Sequence, residues 1–351
     1  GTINRLSLLD IRSPTELNPQ SPTLPCGASC HRPPISPRQG AFASGSFGEV
    51  WHCTRHSAQA EEAQGDEDYV LKRMMVEKGA GVRLSGQRER YYGELFREAP
   101  VGGGAAAAGA AHLVRYVESF EADGGRELWL VFRDEGVSLH SLMYEATDGG
   151  GLTVLQPSRW WRAMRRRPDG HEAVLSLMRQ ALLALASVHA RNVTHRDVKP
   201  ENLLGAFHPC TGGRQCIHLR LIDFGSAVDR HSAYHLYGPA GPSNAEQTVE
   251  YAPPEALFGA LWPGHPVAKR TAPYDVWSAG VVWLEMLLGT PHVFQVGART
   301  RAMLDARLQL SAQLGAEGRQ RLFLLRGMME LCIYPPLPAP KPASDRYAVD
   351  K

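Results

Sequence analysis

A chain of 351 residues is too long for one minimal core and suits a globule of two lobes or two domains. The apolar fraction of 43% and charged fraction of 21% are ordinary for soluble globular proteins, and 38 Lys and Arg against 36 Asp and Glu leave no charge excess to draw nucleic acid or an anionic membrane. No apolar run is expected to approach the roughly 18 residues that cross a bilayer, since the longest, Ala279–Leu288, is broken by Glu285.

The N-terminus lacks the basic-then-apolar pattern of a secretory leader. Residues 1–37 are rich in Pro and Ser with few large apolar side chains, a composition that predicts a tail building no core of its own. From Gly40 to Leu71 a Gly-rich turn separates β-like runs at Glu49–Cys53 and Tyr69–Leu71, joined by the polar loop Gln59–Asp68. A helix is predicted over Ser85–Glu98. The Gly/Ala run Gly102–Ala111 then reads as a flexible insertion, and strands return at Leu113–Phe120 and Glu127–Phe132. Beyond Gly136 the pattern turns helical, at Glu172–His189, Val276–Leu288 and Leu322–Cys332. Strands first and helices after predict an α+β molecule, a sheet lobe over 38–136 hinged near Arg133–Gly136 to a helical lobe over 137–351.

Chemistry concentrates in His195-Arg196-Asp197-Val198-Lys199-Pro200-Glu201-Asn202. Phosphoryl transfer needs a carboxylate to orient or accept the proton of the attacking hydroxyl, and Asp197 supplies it. Lys199 can reach the transferring phosphate, and Asn202 offers Mg²⁺ a neutral oxygen. Downstream, Asp223-Phe224-Gly225 follows the apolar run Leu219–Ile222, as a strand feeding a loop should, with Asp223 as the second metal ligand. Upstream, in Ala43-Ser44-Gly45-Ser46-Phe47-Gly48-Glu49-Val50, glycines would let backbone N–H groups approach phosphates, although Ala43 stands where the first glycine is usual. Val70-Leu71-Lys72 reads as the strand carrying a phosphate-gripping lysine. Its glutamate partner is Glu89 or Glu94. Glu89 is favoured because it follows Arg88 and has Tyr92 and Phe96 at i+3 and i+7.

Over Arg38 to Tyr334 the chain resembles the eukaryotic protein kinases. Thr248-Val249-Glu250-Tyr251-Ala252-Pro253-Pro254-Glu255 looks like the end of their activation segment, with Pro253 where alanine is usual. Asp275-Val276-Trp277-Ser278-Ala279-Gly280 looks like the buried helix whose aspartate ties down the catalytic loop. The resemblance implies a bilobal fold, ATP with Mg²⁺ or Mn²⁺ as cofactors, and a protein substrate. Lys199 with Thr248 implies Ser and Thr acceptors. Nucleotide contacts would come from Ala43, Gly45, Ser46, Phe47, Gly48, Val50, Val70, Lys72, Phe132 as gatekeeper, Asp134, Glu135 and Leu204, with Lys72, Glu89, Asp197 and Lys199 catalytic and Asn202 and Asp223 on the metal. A monomer is expected. The family's closing D-P-x-x-R segment is missing, and the Pro-rich Pro335–Pro342 stands in its place. A narrower likeness to the chloroplast state-transition kinases lies in Glu127–Gly136, Met178–Leu185 and the helix at Glu89–Ala99, and implies a stroma-facing location. That family's N-terminal redox-active cysteine pair is not well matched by Cys26-x3-Cys30, and no membrane segment is read here.

Three further segments have both a functional and a bland reading. Ser158–Arg167, with Trp160 and Trp161 among five arginines, is a docking patch for an acidic surface or, as favoured, a solvated loop with its tryptophans packed down. Six cysteines are too few for a disulfide scaffold. Cys210 and Cys216 are therefore expected to be free thiols in an expanded hairpin, with a disulfide or a metal site with His208 as alternatives. Ser232, Tyr234, Tyr237 and Ser243 are candidate phosphate acceptors whose product Arg196 would pair. A folded pseudokinase that signals by binding alone would lack Lys72, Asp197, Asn202 or Asp223, and all four are present.

Overall fold

Lys72 sits in the middle of an antiparallel sheet, and that placement organises the small lobe. The computed structural model describes residues 35–37, 43–44, 48–55, 67–148, 153–210, 215–238, 241–243, 246–258, 272–291, 293–309 and 315–331. The expected tail, most of the polar loop, Gly45, Ser46, Phe47, Cys26, Cys30 and Pro335–Pro342 therefore lie wholly or largely outside the described residues.

The sheet holds β1 (Ile35–Pro37), β2 (Ala43–Ser44), β3 (Gly48–Arg55), β4 (Glu67–Met75), β5 (Tyr116–Ala122) and β6 (Glu127–Arg133), in the order β1-β3-β4-β6-β5 with β2 paired to β3. Lys72 lies opposite Val50 on one side and Leu130 on the other. Because side chains alternate along a strand, Lys72 shares its face with Met74, which packs with Val82, Leu128, Leu130 and Phe132. The opposite face buries Cys53, Tyr69, Leu71, Trp129 and Val131. Helix α1 (Ala80–Arg97) lies over the first of these faces and buries Val82, Gly86, Arg88, Glu89, Tyr92 and Gly93, a helical stripe.

Gly102–Ala111 is not a loose insertion. It contains α2 (Ala105–Gly109), packed so closely on the large lobe that a Cβ at Gly109 would stand 1.8 Å from the Leu183 carbonyl oxygen. A run of small residues lets two backbones meet, and composition alone reads that as slack.

The large lobe follows with β7 (Val137–Ser138), α3 (Leu139–Met143), the hairpin β8 (Tyr144–Asp148) and β9 (Thr153–Pro157), α4 (Arg159–Arg166) and α5 (Gly170–Ala190). The expected solvated loop at Ser158–Arg167 is instead mostly helix, capped by the Ser158 hydroxyl accepting from the Trp161 N–H at 3.0 Å. Trp161 is fully buried in the main core, as its packing-down reading implied. By length and composition alone α5 could cross a membrane, which no run was expected to do. Its Leu177, Ala184, Leu185 and Val188 nevertheless form the middle of the large-lobe core.

Strands β10 (Leu203–Pro209) and β11 (Gln215–Leu221) pair with each other, and β10 with β7. Cys210 and Cys216 close this hairpin as a disulfide, correcting the expectation of free thiols: their Cα atoms are 5.8 Å apart across the hairpin end. The helices α6 (Arg230–His235), α7 (Pro254–Phe258), α8 (Ala272–Leu288), α9 (Ala298–Gln309) and α10 (Ala316–Glu330) complete the described chain. Leu324 and Met328 of α10 join Phe258, Val281 and Phe294 in a second core.

Candidate active site

The loop from His195 to Asn202 is held from below by one buried carboxylate. Asp275, near the start of α8, accepts from the backbone N–H groups of His195 and Arg196 at 2.8 Å each, and lies 2.7 Å from His189 Nε2. Two main-chain donors aimed at one carboxylate fix the loop's direction, the role the sequence suggested for this aspartate. Arg196 takes φ 68°, a left-handed backbone that is strained for a large side chain and persists here because both neighbouring N–H groups are tied to Asp275. Asp223 also adopts a left-handed backbone, φ 64°, with its carboxylate accepting from the Gly225 N–H.

From that base the polar side chains converge. Asp197 Oδ1 accepts from the Thr248 hydroxyl at 2.7 Å and the Thr248 N–H at 3.1 Å. Its Oδ2 lies 2.8 Å from Lys199 Nζ and accepts from Asn202 Nδ2 at 3.1 Å. Lys199 also donates to the Thr248 hydroxyl at 2.7 Å, closing a triangle of Asp197, Lys199 and Thr248. Burial would lower the Lys199 pKa, but the Asp197 carboxylate outweighs it and keeps the ammonium charged.

The second cluster is assembled from three segments. Lys72 Nζ donates to Glu89 Oε2 at 2.7 Å and to Asp223 Oδ1 at 3.3 Å. Glu94 lies on the solvent side of α1, 3.4 Å from Arg97. Burial works against the Lys72 charge, yet Asp223 and Glu89 together hold its pKa above the lysine range. Burial pushes the Glu89 carboxyl up, to about 7, against the pull of Lys72. For Asp223 burial also acts upward, but Lys72, Lys199 and His195 outweigh it and hold the carboxyl below the usual aspartate value.

The remaining sequence candidates divide. The Ala43 backbone pairs with Val50, and Gly48 must be glycine because a Cβ there would meet the Arg73 carbonyl oxygen at 1.7 Å. Val70 lies opposite Phe132, and Leu204 opposite Ser138 and Arg220. Asp134 accepts from the Gly136 N–H at 2.9 Å. The Glu135 side chain does not face a ligand. It is buried in ion pairs with Arg115 at 2.9 Å and Arg220 at 2.8 Å, leaving only its main chain for a nucleotide.

Sequence reasoning missed the ties between α1 and the segment after Asp223. Arg88 donates to the carbonyls of Gly225 at 2.6 Å and Leu236 at 2.9 Å, with its guanidinium 4.0 Å over the Tyr237 ring. Tyr91 donates to Asp229 and Tyr92 to Ser232. Phe224 packs against Phe96 and His195, each with ring centroids 4.8 Å away. The sequence signal for these ties is Arg88 beside Glu89. Of the four candidate phosphate acceptors, Ser232 and Tyr237 are buried and hydrogen-bonded, while Tyr234 is 82% exposed. Arg196 is already engaged, donating to the Ser243 carbonyl at 2.5 Å and lying 3.6 Å from Glu246.

Several known proteins are similar to this chain. An Arabidopsis thaliana protein named a probable inactive protein kinase is 38% identical over 302 residues, covering 75% of this chain and 79% of that one. Glycogen synthase kinase 1 of Pyricularia oryzae is 34% identical over 140 residues and human cyclin-dependent kinase 15 is 34% identical over 131, matches spanning only 30% and 25% of those proteins. A solved crystal structure of a kinase domain aligns with TM-score 0.47 and 18% identity over 77% of this chain and 69% of its own. The protein kinase domain model itself matches residues 42–319, a span that contains both charged clusters, and the chain belongs to the protein kinase family.

Proposed function

We propose that this protein transfers the γ-phosphate of ATP to Ser and Thr hydroxyls of protein substrates. The observation that carries the reading is the paired arrangement of the Asp197–Lys199–Thr248 triangle and the Lys72–Glu89–Asp223 cluster. Asp197 would accept or orient the hydroxyl proton of the acceptor, its carboxylate held by four donors, the Thr248 hydroxyl and N–H, the Lys199 ammonium and the Asn202 amide. The Lys199 ammonium would stabilise charge on the phosphoryl group in flight, and Lys72 would orient the phosphates behind it. Asn202 and Asp223 fit a hard divalent cation. The Asn202 amide nitrogen is spent on Asp197, which leaves its oxygen as a donor, and Asp223 is kept ionised by its cationic neighbours. Mg²⁺ or Mn²⁺ at these oxygens would neutralise phosphate charge. The Lys199–Thr248 bond, formed by the residue pair that resembles the serine/threonine kinases, supports Ser and Thr over Tyr.

The test is radiolabel transfer from ATP to a generic protein substrate, with and without divalent cation, followed by phosphoamino-acid analysis. Cation-dependent phosphoserine and phosphothreonine are expected. Predominant phosphotyrosine would overturn the acceptor assignment.

A second reading follows from the name of the Arabidopsis relative. On that reading the chain binds nucleotide and a partner but transfers nothing. Retained nucleotide binding with no transfer to any of a broad peptide array, under Mg²⁺ and under Mn²⁺, would favour it over the proposal.

A further inference from the structure

The hairpin β10–β11 carries metal-ligating chemistry that phosphoryl transfer does not use. His208 lies opposite Cys216, and Ala206 opposite His218. Directly opposed residues share a face, as do residues two apart along a strand, so His208, Cys216 and His218 stand on one face of the hairpin. Cys210, one residue past β10, joins that face through its disulfide to Cys216. A ring nitrogen of His208, Cys210 Sγ and Cys216 Sγ all lie within 4.8 Å of one another, and His208 Nε2 is 3.7 Å from the Cys210 sulfur. Read along the chain, the pattern is His-x-Cys, five intervening residues, then Cys-x-His.

His218 is prepared for the fourth position. Its Nε2 lies 2.9 Å from the Ala111 carbonyl oxygen, which can only accept, so Nε2 carries a proton and Nδ1 is the nitrogen left for a metal. A ligating histidine commonly donates its other N–H to a carbonyl in this way, fixing tautomer and ring orientation. The His112 ring stacks on His218 at 4.8 Å and is itself anchored 2.9 Å from the Leu219 carbonyl oxygen. The His208 and His218 ring centroids are 6.3 Å apart, and His218 lies outside the close group of the other three ligands. Two imidazoles on one tetrahedral ion stand about 5 Å apart by their bond lengths, so with His218 held at Ala111 the exposed His208 ring and the freed thiolates would close in on the shared ion.

We propose that this hairpin end is a redox-gated Zn²⁺ site, closed by Cys210 and Cys216 thiolates with His208 and His218 when the disulfide is reduced, and abolished when the disulfide forms. A dithiol supplies the two electrons and two protons that open the S–S bond and is itself oxidised to its disulfide. Zn²⁺ then replaces the two thiol protons, which leave to solvent, and two thiolates balance the ion's charge without any carboxylate. The other end of the same hairpin leads to Asn202 and Asp223. The site is independent of whether the chain transfers phosphate.

The experiment uses the full chain with Cys26→Ser, Cys30→Ser and Cys332→Ser, so that the hairpin pair and buried Cys53 are the remaining thiols. Reduced with a phosphine and titrated with Co²⁺, the protein should take up one ion per chain. Thiolate-to-cobalt charge-transfer absorption and the strong visible bands of a tetrahedral site should appear, and Zn²⁺ should displace the ion. His208→Ala and His218→Ala should each weaken affinity by about tenfold or more. Oxidation of the same sample should expel the metal. The absence of the charge-transfer band in the reduced chain would overturn the proposal, and so would equal uptake by the oxidised chain or by Cys216→Ser. The oxidised and reduced samples share one sequence, so this comparison stands even where a substituted chain fails to fold.

Discussion

Asp197, Lys199 and Asn202 lie in one short stretch of chain, whereas Lys72 meets partners 17 and 151 residues away. The first group is held by its own mutual contacts within that stretch, and two distant residues support it, Asp275 on the His195 and Arg196 N–H groups and Thr248 on Asp197. The second exists only while β4, α1 and the loop after β11 keep their places. A local constellation should lose chemistry when a residue changes and keep its shape. A distributed one should lose shape, and its chemistry with it. The substitutions below separate the two.

The largest effect is expected at Asp197. Asp197→Asn should bind nucleotide with little change but transfer phosphate about 10²–10⁴-fold more slowly, the range for a lost acid–base group. Radiolabel transfer at the parent rate would remove Asp197 from the mechanism. Asp275→Asn comes next. The amide turns one acceptor into a donor facing two N–H groups, so one buried donor is left without a partner. We expect a loss of about 1–3 kcal/mol in urea unfolding together with a fall in kcat. If stability falls and kcat does not, the loop does not need Asp275 for its working shape.

The distributed cluster is tested by a pair. Glu89→Gln should lower kcat/KM for ATP about 10- to 100-fold, the worth of a hydrogen bond between charged partners. Glu94→Gln should stay within about 0.5 kcal/mol in stability and leave kcat/KM unchanged, because that side chain faces solvent. The reverse result would place the wrong face of α1 against the sheet.

The smallest effect on transfer is expected at Glu285, buried in α8 and accepting from the Tyr251 hydroxyl at 2.7 Å. Burial raises its carboxyl from the ordinary 4.5 to about 7. A carboxyl raised on folding binds its proton more tightly in the native state. Its contribution is therefore fully favourable below about pH 4.5 and is lost as pH rises through about 7. The loss amounts to about 3 kcal/mol by the usual conversion, most of it between pH 5 and 8. Glu285→Gln should remove that slope from stability measured between pH 5 and 8 while leaving transfer intact. An unchanged slope would mean the carboxyl titrates elsewhere.

The same contrast explains what could be read without coordinates. The stretch around Asp197 and the Asp223-Phe224-Gly225 turn are legible because chemistry demands those residue types at near-neighbour spacing. The sheet-then-helix order was legible from periodicity. Glu89 and Glu94 were not separable on spacing alone. They lie five positions apart, about 140° around a helix, and only the packing of α1 on β4 decides which faces Lys72. Glu135 sits where a nucleotide contact was expected, but Arg115 and Arg220 arrive from other segments and take its side chain inward. Gly102–Ala111 reads as slack until α5 supplies the surface that small residues allow it to approach. Nothing in local pattern reports such partners.

The hold of Arg88 on the Gly225 carbonyl, with Phe96 and His195 against Phe224, has a pharmacological consequence. A small molecule that occupies the space behind Phe224 must first turn that ring out, which strips Arg88 of an acceptor inside the protein. Its apparent affinity is then reduced by the fraction of molecules already opened. A molecule that leaves Phe224 seated meets no such penalty. A ligand that displaces Phe224 would therefore be expected to bind less tightly than one that leaves it seated, and Arg88→Ala would narrow the gap between them.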